Sequence, residues 1–188
     1  MFPVPWPLFP AFMQTIYVLT TGGTIEKMYS EQAGTVVNDA GNTGQYDASR
    51  IGQYLDLLRL PDTDVQAVPV MNKDSLEMTS ADRAELVAHL APLLPAAHPI
   101  VITHGTDTMA ETGVYIQRAF PSLAVPIILT GAMRPLGFEH SDGLQNLTES
   151  LLAARLLPPG VYIAIHGQVF PADRAQKDRT LGTFVAKP

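Results

Sequence analysis

The chain has 188 residues, 46% of them hydrophobic, which is enough for one domain with a full apolar core and no covalent staples. A net charge of -6 with only 16% charged residues weighs against nucleic acid and anionic membrane as partners, since those are bound through clustered lysine and arginine; small molecules are the expected ligands. The absence of cysteine excludes disulfides, thiol catalysis and cysteine-bound metal centres.

Residues 1–13 read as an apolar extension, whose four prolines prevent a helix and whose start lacks the basic flank and continuous apolar run of a signal peptide. Met13 offers an alternative start. No later stretch reaches the roughly 20 apolar residues of a membrane helix, so a cytoplasmic protein with no membrane partner is expected. From 14 to 186 strand and helix signals alternate. Strands are predicted over 15–20, 65–70, 100–103, 125–130 and 161–165. Helices are predicted over 48–60, 79–94, 108–120 and 142–157, the second capped by Thr79 or Ser80 and buried through Leu86, Val87, Leu90, Leu93 and Leu94. Short strands without polar alternation, joined by helices, imply a three-layer, doubly wound, mostly parallel α/β sheet of the Rossmann or flavodoxin-like kind.

Such sheets hold their sites beyond the carboxyl ends of the strands. Two phrases fall there: Thr20-Thr-Gly-Gly-Thr24 after the first strand and His104-Gly-Thr-Asp-Thr108 after the third. Threonines on separate strand ends beside an aspartate suggest a hydroxyl nucleophile, which needs a neighbouring tyrosine or amine to take its proton. Gly22, Gly23 and Gly105 can aim backbone N–H groups at an oxyanion. Either threonine alone reads as a turn or cap residue, and Asp107 can also cap the helix that follows. The segment 22–46 has five glycines and no helical period, so it reads as a lid carrying Tyr29 or as a surface hairpin. The histidines lack metal-ligand spacing, no phosphate-cradling glycine motif occurs, and His104 and His166 are assigned to support. Neither metal nor organic cofactor is expected.

Four ordered motifs carry a family resemblance: Thr20-Thr-Gly-Gly-Thr-Ile25, Ile102-Thr-His-Gly-Thr-Asp-Thr-Met109 with Glu111-Thr112, Leu129-Thr-Gly-Ala-Met-Arg-Pro135 and Ser141-Asp-Gly-Leu-Gln-Asn146. Together they resemble the bacterial-type L-asparaginases, the asparaginase/glutaminase family. The resemblance implies hydrolysis of the side-chain amide of L-asparagine to L-aspartate and ammonia through a β-acyl-enzyme, without a cofactor. By position, Thr24 matches the first catalytic threonine, Thr106 the second, Asp107 its neighbour and Lys177 the lysine that partners the second threonine. Ser75 matches the serine that binds the substrate α-carboxylate and Tyr29 the loop tyrosine; Gly23 and Gly105, read from their chemistry, are also expected to bind substrate. A zwitterionic substrate needs an anion for its ammonium, which Asp107 supplies.

There are three departures from the better-known members. Leu76 and Glu77 stand where the high-affinity type has glutamine and aspartate. The chain also stops soon after Lys177, whereas longer members continue into a second α/β domain that completes a neighbour's site; a homo-oligomer is therefore expected. Two rival readings are a non-catalytic amino-acid-binding module and the asparaginase-like component of a tRNA amidotransferase, which carries an extra N-terminal domain.

Overall fold

A computed structural model describes residues 13–38 and 49–187. The first, apolar extension lies largely outside the described residues. Five parallel strands form the centre of the sheet: β1 Gln14–Thr20, β4 Thr63–Pro69, β5 Ile100–Thr103, β6 Pro126–Thr130 and β7 Gly160–Ile165. Their spatial order is β4-β1-β5-β6-β7, with β8 (Gln168–Pro171) added antiparallel at the edge. Counting only the parallel strands, this is the flavodoxin-like order 2-1-3-4-5, whose direction of winding reverses between the first and third strands. That reversal places the ligand crevice at the ends of β1 and β5.

The apolar runs divide by alternation. Ile100, Ile102, Ile127 and Leu129 face one layer with α2 (Ser80–Leu90) and α3 (Met109–Ala119), while Val101 and Ile128 face the other with α1 (Ser49–Leu55) and α4 (Gly143–Leu156). Both faces of β5 and β6 are covered, so every residue of those strands is buried. No helix among the described residues is long and apolar enough to cross a membrane.

The differences from the expected elements have local causes. The helix expected over 79–94 stops at Leu90, because Pro92 cannot donate an intrahelical hydrogen bond, and a short 3-10 turn follows at Leu94–Ala96. Its start is a full capping box: Thr79 accepts from the Asp82 amide and Asp82 from the Thr79 amide. The helix expected over 48–60 shortens to Ser49–Leu55 and runs out through i to i-3 turns at Leu57 and Leu58.

Three hairpins complete the fold, the first of them within the segment 22–46, for which a surface hairpin was one of the two expected readings. β2 (Lys27–Ser30) pairs with β3 (Thr35–Asn38), and β9 (Ala175–Asp178) with β10 (Thr183–Ala186), each closed by a four-residue loop ending in a glycine of positive φ, Gly34 and Gly182. β7 turns into β8 through His166 and Gly167, both at positive φ (51° and 74°), the pattern of a type I′ turn. The part of 22–46 that is described is therefore a 3-10 turn, Thr24–Glu26, running into a hairpin; residues 39–46 of the expected lid lie outside the described residues.

Candidate active site

The chain leaves β1 at Thr20 and turns through Gly22 and Gly23, at φ 89° and 83°, conformations that L side chains rarely adopt. It leaves β5 at Thr103 and runs through His104 to Thr106. Thr21 locks the two exits: both its amide (3.1 Å) and its hydroxyl (2.8 Å) donate to the Thr103 carbonyl. Glu26 locks them again from beneath. Its buried carboxylate accepts the Gly22 amide at 3.1 Å and the Thr103 hydroxyl at 2.8 Å. The Gly22 N–H is thereby committed to Glu26, which corrects its expected use toward an oxyanion. The amides of Gly23 and Gly105 donate no hydrogen bond to any described residue.

Thr106, only 4% exposed, receives a hydrogen bond from Lys177 Nζ at 2.7 Å. The same ammonium pairs with Asp107 Oδ1 at 3.1 Å, and Arg179 Nη2 reaches that oxygen at 2.6 Å. Both cations come from β9 and the turn after it. The Asp107 side chain is thus turned toward these cations and does not cap α3, whose N-cap is Thr108 with no side-chain capping bond, so the capping reading is corrected. The Asp107 amide donates to Ser75 Oγ at 3.2 Å, and Thr108 Oγ1 donates to the Ser75 carbonyl at 2.8 Å. Buried Ser75 is thereby attached to the Thr106 loop from the far side.

Thr24 is half-buried and follows Gly23, whose backbone abuts Gly105, and its hydroxyl makes no hydrogen bond among the described residues. Tyr29 is not brought into the cluster: it sits on β2 opposite Val36, 54% exposed. What sequence reasoning missed is the attachment of that hairpin. Lys27 at its base pairs with Asp74 at 2.7 Å, and the lysine ammonium, with the Leu76 amide, holds the Asp74 carboxyl below its usual range. Asp74 also caps the short turn Ser75–Glu77, so one carboxylate joins hairpin and serine loop. Lys73, just before the serine loop, pairs with Asp82 at 2.7 Å.

The remaining motif residues are scaffolding. Buried Arg83 donates to Thr112 Oγ1, the Met78 carbonyl and Glu111, holding the serine loop against α3. His104 is completely buried. Burial pushes its imidazole pKa down to about 4, against the raising effect of the bond to the Gly105 carbonyl, so the ring is neutral with its proton on Nδ1. Asp142 accepts the amides of Met133 and Arg134, Asn146 Nδ2 and His166 Nε2. Burial raises that carboxyl, but these donors outweigh it and the net shift is downward. His166 Nδ1 in turn meets Thr183 Oγ1 at 2.8 Å, linking this hub to the β9–β10 hairpin that carries Lys177.

These features define a three-layer α/β domain with a threonine, lysine and aspartate cluster at its switch point. The family described as Asparaginase, N-terminal matches residues 15–185, and the chain belongs to it. It is 29% identical over 167 residues to an L-asparaginase of Thermococcus kodakarensis, covering 89% of this chain and 48% of that one. L-asparaginase 1 of Escherichia coli K12 is 30% identical, over 87% of this chain and 47% of its own length. A glutamyl-tRNA(Gln) amidotransferase component of Aeropyrum pernix is 32% identical, over 86% of this chain and 37% of that protein. The solved structure of the thermostable Thermococcus kodakarensis L-asparaginase superposes with a TM-score of 0.81 at 28% identity, over 92% of this chain and 51% of that one. The chain thus spans about half the length of the L-asparaginases it matches.

Proposed function

We propose that this chain hydrolyses the side-chain amide of L-asparagine to L-aspartate and ammonia. The observation that carries the reading is the 2.7 Å bond between Lys177 Nζ and Thr106 Oγ1, with Asp107 on the same ammonium. A buried threonine held by a lysine and an aspartate is a proton-transfer device, and the open hydroxyl of Thr24 stands on the adjoining turn. Thr24 Oγ attacks the amide carbon while Tyr29, brought in by the hairpin, takes its proton. The tetrahedral oxyanion is met by the amides of Gly23 and Gly105. The C–N bond then breaks, ammonia leaves with a proton, and water guided by Thr106 and Lys177 opens the ester to give aspartate. Ser75 binds the α-carboxylate and Asp107 the α-ammonium. No step calls on a cofactor.

The match to an amidotransferase component supports a second reading, release of ammonia for a partner enzyme, which uses the same chemistry. We also propose self-association, supported by Leu152, Leu156 and Val169, exposed along one flank of α4 and β8; light scattering that shows a monomer at all concentrations overturns it. The test of the main reading is ammonia release from asparagine and from glutamine. Thr24→Ala and Thr106→Ala should each lose several kcal/mol of transition-state stabilisation, on the order of a thousandfold or more in rate. A wild-type chain that binds aspartate without turnover would instead be a binding module.

A further inference from the structure

Asp107 is the only carboxylate among the described residues that two different basic side chains pair with. Lys177 and Asp107 are largely buried (side chains 18% and 21% exposed), whereas Arg179 is 73% exposed. Arg179 stands at the start of a fixed turn: Asp178 Oδ1 accepts the amides of Thr180 at 2.8 Å and Leu181 at 2.9 Å. Its guanidinium makes its one hydrogen bond among the described residues to Asp107 Oδ1, at 2.6 Å. Asp107 Oδ2 accepts none from them. The carboxylate therefore already faces two cations before any substrate arrives.

We propose that Arg179 determines specificity by competing with the substrate's α-ammonium for Asp107. This rests on the asparaginase reading of the site. An arriving ammonium would be a third cation on one carboxylate, and like charges this close repel. Lys177 cannot leave, since it is bound to Thr106. Arg179 can, because an exposed guanidinium pair is weak and its stem lies in solvent. Displacing it burdens ground state and transition state alike, so the effect falls on KM rather than kcat. The site is thereby tuned away from zwitterionic amino acids and toward amides of the same length that lack a free α-ammonium, such as succinamic acid.

Ammonia release by the wild-type chain, Arg179→Ala and Arg179→Lys, on L-asparagine and on succinamic acid, tests this. Removing an exposed ionic competitor should lower KM for asparagine about two- to fivefold, leave KM for succinamic acid unchanged, and be reversed in Arg179→Lys. A KM that rises for both substrates would mean that Arg179 grips the α-carboxylate, and an unchanged KM for asparagine would mean that it does not reach the site; either overturns the proposal. If no ammonia appears from any protein, the asparaginase reading falls. Calorimetric affinities for L-aspartate against succinate then decide the competition: preferential tightening for aspartate in Arg179→Ala supports it, and equal change opposes it.

Discussion

The backbones of Gly23 and Gly105 are in direct contact, so that a methyl group on Gly23 would lie 2.4 Å from the Gly105 nitrogen. The two threonine-bearing turns can approach this closely only because Gly23 lacks a side chain, and the missing side chain of Gly105 makes room instead for Ser75. Gly105→Ala should push its new methyl into Ser75, whose Cβ would be 2.5 Å away and which is itself held by Asp107 and Thr108. We expect a loss of about 1–3 kcal/mol in stability and a far larger loss of turnover, read from thermal melting beside the ammonia assay. An active Gly105→Ala chain would show that the spacing between the Thr106 loop and Ser75 is not critical.

Lys177→Met keeps the length of the side chain and removes its ammonium. Turnover should fall by about 10²–10⁴-fold, the usual worth of a positioned proton-transfer group. Melting should move little, because the lysine leaves behind a hydroxyl and a carboxylate that can still reach water or Arg179. Near-normal turnover would reduce Lys177 to a structural tie between β9 and the Thr106 loop.

The hairpin β2–β3 hangs from the rest of the chain partly through Lys27 and Asp74. Such partly exposed pairs are worth about 1 kcal/mol or less, so Lys27→Met should leave global stability nearly unchanged while loosening the hairpin. Amide exchange should show faster exchange over Lys27–Asn38 in the variant, and slower exchange in the wild type when aspartate binds. Identical exchange with and without aspartate would favour a static surface hairpin over a lid.

His104 gives a pH dependence whose sign follows from its depressed pKa of about 4 in the folded chain. The unfolded chain protonates the ring near pH 6.5 and the folded chain resists until about 4. The folded state therefore binds fewer protons in that window, and its stability is full above pH 6.5 and lost as pH falls. From pH 7 to pH 5 the loss should be about 2 kcal/mol. The depressed carboxyls of Asp74 and Asp142 act in the same sense but in a lower window, below their unfolded value of 3.8. Urea unfolding of the wild type and His104→Gln at both pH values checks this: the variant should have the flatter profile between them.

How much of this was legible beforehand depends on what each residue was packed against. β5 and β6 were readable because burial on both faces makes them continuous apolar runs, Ile100–Thr103 being found with its expected limits. β2, β9 and β10 were not, since Lys27–Ser30, Ala175–Asp178 and Thr183–Ala186 are four residues long, mixed in polarity and paired only within two-stranded ribbons. The turn residues His166 and Gly167 did carry a hairpin signal that went unread. At the site, Thr24, Thr106 and Asp107 stood out by their place at strand ends. Lys177 was placed by family likeness, and Lys27, Asp74 and Arg179 by neither route, because the partner of a surface charge is chosen by tertiary geometry that has no local period.

Asp142 has a mechanical consequence. By accepting from Met133, Arg134, Asn146 and His166 it fastens the end of β6, the start of α4 and the β7–β8 turn into one block, and His166 extends that block to Thr183 beside Lys177. The crevice therefore has an anvil and a hammer. The side that bears Thr106, Lys177 and their supports is clamped from several directions, while the side that bears Tyr29 is attached at its root. On the proposed lid reading the closing stroke is delivered from the hairpin onto this bed, and tolerance to substitution should be lowest in the bed.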